Sequence, residues 1–261
     1  MADSVCVVMA TYNGARFLSA QIDSVLCQLR AGDELIVVDD ASTDETREVL
    51  ESYSADRIRL AYNPTNLGVL RSFERGLGMT GHDVVFLCDQ DDVWLPGKRE
   101  AFAAAFAEDP RCYIVVSDAQ VIDESGRLLM PSYMNWRGGF RYGFFSNLIR
   151  NRYLGCAMAI RRNVLVAGLP IPAYVPMHDM WLGSIGTILG RVRYLPGPLL
   201  QYRRHGNNAT VGYSRSWGHI IRWRVQLLVA VAIRLVRLAA GYRYVGFSEM
   251  QIVRRSSLPK R

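Results

Sequence analysis

Leu87-Cys88-Asp89-Gln90-Asp91-Asp92-Val93-Trp94 is the stretch on which the reading of this chain turns. Three carboxylates fall within four residues, directly after the apolar run Val84-Val85-Phe86-Leu87. That run, bounded by Gly81 and Pro96, predicts a short buried strand. The acids then emerge at its C-terminal end, where open α/β sheets bind their ligands. Carboxylates this crowded repel one another and call for a counter-charge. A hard divalent cation, Mg²⁺ or Mn²⁺, supplies one when it is shared between one or two carboxylates and substrate phosphates. A solvated acidic loop is the plainer reading of a lone Asp-x-Asp, so the flanking sequence has to decide.

Upstream the pattern repeats. Ser4 to Ala10 reads as a buried strand, followed by the turn Thr11-Tyr12-Asn13-Gly14 and a helical stripe from Ala15 to Leu29. Glu34 to Val38 is a second strand ending in Asp39-Asp40, with Ser42 or Thr43 expected to cap the next helix. Arg57 to Tyr62 is a third, and Asn66-Leu67-Gly68 turns into a helix through Leu77. Successive β-then-α units predict a mostly parallel sheet with helices on both faces. Parallel strands bring Asp39-Asp40 and Asp89-Asp91 to one edge, so two acidic pairs share a crevice. Taken alone, Asp39-Asp40 also suits helix capping. Tyr12 is placed to stack on a planar base, and an Asp40 carboxylate suits the imide N–H of a pyrimidine.

The second half alternates less regularly. A helix is expected from Pro96 or Lys98 to Glu108, a strand over Tyr113–Ser117, and a hairpin within Asp118–Pro131. Tyr133 to Arg152 is aromatic and basic and is expected to lie over a pocket. Cys156–Ile160 reads as a strand, His178–Leu189 as a helix, and Val192–Gln201 as a strand or sheet edge interrupted by Pro196 and Pro198.

Half of the 261 residues are hydrophobic and 21% are charged, enough for one large domain with an appendage. Five scattered cysteines without a Cys-x-x-Cys pair argue for a reducing compartment and against a structural zinc site. The N-terminus enters a strand at once, leaving no signal peptide, and a cytoplasmic location is expected. The net charge of +7 is uneven: from Arg215 onward there are ten Lys/Arg and one Glu, while the rest carries 21 Lys/Arg against 23 Asp/Glu. That distribution, with no nucleic-acid motif, disfavours nucleic-acid binding despite a pI near 9.3. No Gly-x-Gly-x-x-Gly follows the first strand, which disfavours an ordinary dinucleotide-binding enzyme.

Several motifs together resemble family 2 of the inverting, nucleotide-sugar-dependent glycosyltransferases, whose fold is called GT-A. They are Ala10-Thr11-Tyr12-Asn13-Gly14, Val37-Val38-Asp39-Asp40-Ala41-Ser42-Thr43-Asp44, Asn66-Leu67-Gly68 and Asp89-Gln90-Asp91-Asp92-Val93-Trp94. Gly155-Cys156, Met177-His178-Asp179-Met180-Trp181-Leu182 and Gln201-Tyr202-Arg203-Arg204-His205-Gly206-Asn207-Asn208 continue the series in the family's order. The last motifs look most like the branch containing rhamnosyltransferases of bacterial surface polysaccharides. The resemblance implies an α/β GT-A domain over residues 1–213 and a basic helical extension over 214–261. It implies donor contacts from Thr11, Tyr12, Asn13, Asp39, Asp40, Asp89, Arg203 and Arg204, with Tyr12 on the pyrimidine and Asp89 near the ribose. Asp91 and His205 become ligands of a divalent cation, and Asp179 the general base. The family's usual Glu-Asp pair reads His178-Asp179 here, which removes any acceptor contact that a Glu would make. The implied partners are a nucleotide-sugar donor and a glycan or glycolipid acceptor.

The tail carries Trp217, Ile220, Ile221, Trp223 and the apolar run Val225–Ile233, with His219, Arg222, Arg234 and Arg237 on roughly one helical side. Nine uninterrupted apolar residues are far below the roughly 20 that span a bilayer. A basic helix with tryptophans suits a peripheral contact with an anionic membrane at the inner face of the plasma membrane. Packing on the domain and a dimer contact are the alternatives.

Overall fold

A computed structural model describes residues 4–53, 56–206, 217–244 and 252–254. The first half alternates as its sequence demands: β1 (Val5–Thr11), α1 (Ala15–Leu26), β2 (Glu34–Asp39), α2 (Thr46–Ser52), β3 (Ile58–Tyr62), α3 (Val69–Met79) and β4 (Val84–Asp89). A short β5 (Val93–Trp94) and α4 (Lys98–Glu108) lead to the long β6 (Cys112–Ile122), which turns back as β7 (Leu128–Met130). Two short helices, α5 (Tyr133–Trp136) and α6 (Phe144–Ile149), precede a 3₁₀ turn at Gly155–Ala157 and β8 (Met158–Arg161). Then come α7 (Arg162–Gly168), α8 (His178–Leu189), β9 (Arg191–Arg203), α9 (Trp217–Ala239) and the small pair β10 (Tyr242–Tyr244) and β11 (Ile252–Arg254).

The strands join in the order β3-β2-β1-β4-β8-β6-β9-β5, with β7 beside β6. β3, β2, β1 and β4 are parallel, β8 runs antiparallel between β4 and β6, and β9 is parallel to β6. Residues alternate across β1 because successive side chains in a strand point to opposite faces. Cys6 and Val8 pack with Phe73, Leu77, Trp181 and Ile185 under α3 and α8. Val5, Val7 and Met9 pack with Leu18, Ile22 and Phe102 under α1 and α4. A sheet covered on both faces needs continuous apolar strands, which is why β1, β2 and β4 read as unbroken hydrophobic runs.

Three expectations shift. α2 starts at Thr46 because Ser42, expected to cap it, gives both its N–H and its hydroxyl to Asp39. Thr43 likewise gives its N–H to Asn13 at 2.8 Å. β6 runs through Asp118 to Ile122, since that carboxylate accepts the N–H groups of Ala119 and Met134 and needs no turn. The strand expected at Cys156 begins as a 3₁₀ turn, because Lys98 Nζ donates to the Cys156 carbonyl at 2.7 Å. β9 is an edge strand along its proline-bearing stretch, as expected, but at Leu200 and Gln201 its outer side is covered by β5. Its prolines fall where the register to β6 slips between Ser117 and Asp118, the irregularity in which a missing N–H is tolerated.

α9 packs on the domain through Leu227, Ala230 and Val231, and Arg234 anchors it. That guanidinium donates to the carbonyls of Ala167, Leu169 and Pro170 at 2.5–2.8 Å and lies over the Trp181 ring. Arg234 therefore leaves the basic side expected of this helix, while the outward face carries Ile221, Val225, Leu228, Val229, Ile233 and Val236 together with the exposed Arg222 and Arg237. The boundary expected at 213/214 and the motif residues Asn207 and Asn208 lie outside the described residues. No helix among the described residues is long and apolar enough to cross a membrane.

Close approach of α8 to the segment before β8 depends on Gly183, where a Cβ would stand 2.4 Å from the Tyr153 ring. Gly183→Ala is expected to destabilise by about 1–3 kcal/mol through overpacking, against a gain of about 1 kcal/mol in helix propensity. Urea unfolding reads the balance, and a rise in the midpoint would show that the ring moves aside freely.

Candidate active site

In the sheet Thr11 stands level with Asp39 and Ala10 with Asp89. The C-terminal ends of β1, β2 and β4 therefore lie side by side, at the point where the strand order reverses between β1 and β4. A cavity of about 410 Å³ opens there, and its wall includes Thr11, Tyr12, Asp40, Asp89, Asp91 and Asp179. Asp40, Asp89 and Asp91 thus reach one crevice, while Asp39 is set behind it.

Gln90 holds the β1 loop in place. Its Oε1 accepts from the Thr11 hydroxyl at 2.6 Å and the Tyr12 N–H at 2.7 Å, while Nε2 donates to the Tyr12 carbonyl. A Cβ on Gly14 would stand 2.3 Å from that same Oε1, so a side chain there would have to push Gln90 off the loop it holds. The Tyr12 ring is left 44% exposed at the cavity, as a stacking surface would be. Asn13, at a positive φ of 47°, ties this loop to the next through Ser42 and Thr43 rather than facing the cavity. Gln90 gave no signal beyond standing between two acids.

The two aspartates at the end of β2 divide their work. Asp39 is a turn-builder, accepting the N–H and hydroxyl of Ser42 at 3.1 and 2.5 Å. Asp40 Oδ1 accepts from Asn63 Nδ2 and the Leu67 N–H, and Oδ2 from the Gly68 N–H at 2.8 Å. It thereby fixes the Asn66-Leu67-Gly68 turn while lining the cavity, and Oδ2 accepts only one of these three hydrogen bonds.

Around β4 the carboxylates crowd as expected. Burial, then the charges of Asp91 and Asp179, push the Asp89 carboxyl up to about 7. Asp92, fully buried, is raised well above the usual range by burial, then by Asp91 and Asp89. The buried Lys98 ammonium beside them is lowered to about 8 by burial, and sits 4.4 Å over the Trp94 ring. One lysine does not neutralise three carboxylates. Asp91 Oδ2 meets His205 Nε2 at 2.7 Å, and the His205 ring rests against Phe17. That contact is a hydrogen bond, and it brings one carboxylate oxygen and one imidazole nitrogen together as donors that a cation could share. The donor set fits Mg²⁺ and, through the imidazole, Mn²⁺. Asp89, Asp92 and Cys156 also bring donor atoms within 4.8 Å. Burial keeps the Cys156 thiol protonated, however, and a thiol suits a softer metal.

Asp179 occupies the first turn of α8, where the helix dipole favours an anion, and its Oδ1 accepts the Met180 N–H at 2.6 Å. Burial outweighs those contacts and pushes its carboxyl up to about 6. His178 before it is buried and stacked on Phe73 at 3.9 Å, and neither ring nitrogen has a hydrogen-bond partner among the described residues. Burial pushes its pKa down to about 3, so a neutral imidazole lines the cavity. Gly155 makes room for both, since a Cβ there would lie 3.3 Å from His178 Nε2 and 3.4 Å from Asp179 Cβ.

A second cavity of about 380 Å³ meets the first at Leu154, Met177, Asp179 and Tyr202. Its wall draws on the aromatic, basic segment expected to lie over a pocket, including Tyr133, Trp136, Arg137 and Arg150, and on Trp223 and Arg224 of α9. Arg204, expected at the donor, lines this cavity instead. Arg203 is a positioning residue: its N–H donates to Asp92, Nε to the Asp91 carbonyl, and Nη1 to the carbonyls of Asp123 and Glu124.

Solved glycosyltransferase structures share this architecture. S. aureus TarS 1–349 in complex with UDP-GlcNAc superposes with a TM-score of 0.65 at 18% identity, over 87% of this chain and 67% of that one. Mannosyltransferase PcManGT from Pyrobaculum calidifontis, in complex with GDP-Man and Mn²⁺, gives 0.58 at 19% identity over 92% and 65%. The fold is thus that of the GT-A-type glycosyltransferases.

The chain belongs to Glycosyl transferase family 2, whose sequence profile matches residues 6–168. An uncharacterized glycosyltransferase of Nostoc sp. is 28% identical over 78% of this chain and 66% of its own length. The putative teichuronic acid biosynthesis glycosyltransferase TuaG of Bacillus subtilis is 34% identical over 69% of this chain and 71% of its own. The Escherichia coli UDP-Glc:alpha-D-GlcNAc-diphosphoundecaprenol beta-1,3-glucosyltransferase WfgD is 25% identical over 68% and 67%.

Proposed function

We propose that this chain transfers one sugar from a nucleoside diphosphate to a hydroxyl of a lipid-linked glycan, with inversion, in the synthesis of a bacterial surface polysaccharide. What most supports this reading is that Asp179 lies on the wall shared by two cavities. One cavity takes the donor: Tyr12 stacks on the base, Asp40 Oδ2 accepts its imide N–H, and Asp89 faces the ribose. The other takes the acceptor, whose hydroxyl meets Asp179 at the junction. Asp179 removes the hydroxyl proton as the oxygen attacks the anomeric carbon, and the nucleoside diphosphate leaves from the opposite side. A carboxylate titrating near 6 is still mostly ionised at pH 7, and is more basic than an exposed one. Neutral His178 adds no charge that would stabilise or repel that carboxylate. Asp91 and His205 would hold Mg²⁺ or Mn²⁺, which would supply positive charge for the departing diphosphate.

L-Rhamnose from dTDP-rhamnose is our first choice of donor, on the motifs Asp-Gln-Asp-Asp-x-Trp and Met-His-Asp-x-Trp. A UDP-hexose is the alternative, in keeping with the UDP-sugars named for WfgD and TarS. A module that only binds nucleotide sugars has no use for a buried base at Asp179. Thermal-shift binding of dTDP-rhamnose, UDP-glucose, UDP-galactose and GDP-mannose, with and without Mn²⁺, tests the reading. One donor should raise the melting temperature in a metal-dependent way; no shift with any of them would sink it.

The exposed apolar residues on the outward face of α9 and the basic tail together suit an anionic membrane at the inner face of the plasma membrane. Co-sedimentation should be several-fold greater with anionic than with zwitterionic vesicles, and should fall for Val225→Asp/Val229→Asp. Unchanged sedimentation, with a concentration-dependent dimer instead, would assign the face to self-association.

A further inference from the structure

At the end of the sheet away from the crevice, three metal-ligating side chains from separate segments converge. Cys6 of β1 stands level with Glu34 at the start of β2, so the two side chains share one face of the sheet. His82, in the turn between α3 and β4, reaches across to them. Its Nδ1 lies 3.7 Å from Glu34 Oε2, too far for a hydrogen bond. The donor atoms of Cys6, Glu34 and His82 all fall within 4.8 Å of one another. Zinc bonds to sulfur, nitrogen and oxygen place adjacent ligands of a tetrahedron roughly 3.3–3.6 Å apart, close to the His82–Glu34 spacing.

The surroundings orient these donors. His82 Nε2 lies 3.2 Å from the Gly32 carbonyl, which can only accept, so the ring proton sits on Nε2 and the Nδ1 lone pair faces the cluster. A ligating histidine has its second nitrogen tied to a carbonyl or carboxylate in just this manner. Arg59 donates to Glu34 Oε1 at 3.4 Å, which leaves Oε2 toward His82. The Thr80 hydroxyl donates to Nδ1 at 3.2 Å and is the group that a cation would displace. Cys6 is fully buried, but the His82 and Glu34 side chains are 18% and 22% exposed, so an ion can enter from solvent and keep a water. A thiol, an imidazole and a carboxylate suit zinc better than Mg²⁺ or Mn²⁺, which favour oxygen-rich sites.

We propose that Cys6, Glu34 and His82 form a zinc site with water as the fourth ligand. The Cys6 thiol releases its proton to solvent as the sulfur takes the metal. The ion ties β1, β2 and the approach to β4 together at their N-terminal ends, opposite the ends that carry Tyr12, Asp40 and Asp89. It clamps the fold and is separate from the cation of the reaction. No Cys-x-x-Cys spacing announces the site, because each donor comes from a different segment.

The full chain, stripped of metal with a chelator, is titrated with Co²⁺ as a spectroscopic probe and with Zn²⁺ in a melting experiment. Co²⁺ should give a thiolate charge-transfer band, and Zn²⁺ should raise the melting temperature. The band should be absent from Cys6→Ala and from Cys6→Ser, which is closer in size should the first variant not fold. His82→Ala should need at least about tenfold more Co²⁺ for the same band. Asp91→Ala and Cys156→Ala should keep it, which separates this site from the donors around Asp89 and Asp92. No band in the wild-type chain, a band that survives the loss of Cys6, or an unchanged Co²⁺ dependence in His82→Ala would overturn the proposal. So would a band lost in Cys156→Ala, which would put the metal in the crevice.

Discussion

Asp179→Asn is expected to lower kcat by about 10²–10⁴-fold, the range spanned by a positioned general base. The amide preserves the shape of the side chain and can still accept the Met180 N–H, so donor and acceptor binding should change little. What disappears is the ability to take a proton. Stability should move the other way. The folded carboxyl titrates near 6, above its unfolded value of 3.8, so folding disfavours the ionised form. That penalty is present above pH 6, shrinks as the pH falls and is gone below 3.8. With about 1.4 kcal/mol for each pH unit separating the two values, it amounts to no more than about 3 kcal/mol at pH 7. Asn carries no such penalty, and the variant should melt no lower than wild type at pH 7. The same titration predicts that wild-type kcat declines as the pH drops through about 6, and that the residual activity of Asp179→Asn lacks this limb. A variant that melts much lower, or keeps wild-type kcat, would remove Asp179 from the chemistry.

Asp91→Ala should cost about 10²–10³-fold in kcat/KM, the several kcal/mol that a metal's charge gives to a leaving oxyanion. The effect should be confined to the metal-dependent part: the Mn²⁺-linked thermal shift on donor binding should vanish. The fold should persist for two reasons. Arg203 Nε bonds the backbone carbonyl of residue 91, which the substitution keeps. Removing this charge also relieves the repulsion that raises Asp89 and Asp92. An Asp91→Ala protein with an unchanged Mn²⁺ response would place the cation elsewhere, with Asp89 and Asp92 the next donors to replace.

Much of this site was legible because strand ends are legible. Apolar runs followed at once by acids or turn residues mark where β1, β2 and β4 stop, and parallel pairing carries those ends to one edge. Tyr12, Asp40, Asp89 and Asp91 were therefore expected together, Asp179 was added only by the family resemblance, and all five line one cavity. Arg203 and Arg204 show the limit of the same reasoning. Neighbours in a strand point to opposite sides, so one guanidinium supports the Asp91 loop while the other faces the second cavity. Gln90 was invisible because its role consists of hydrogen bonds to a loop 78 residues earlier.

The amino-acid sequence by itself determined the parallel half of the sheet, the helix over His178–Leu189 and the chemical kind of each strand-end residue. These follow from local periodicity and turn chemistry, which act over a few residues. Only the tertiary structure decided that β5 covers the end of β9, that Arg234 turns inward to dock α9, and that arginines from four separate segments surround one cavity. It also decided that His178 is neutral and that Asp179 titrates near 6, because desolvation depends on what the rest of the chain packs around a group.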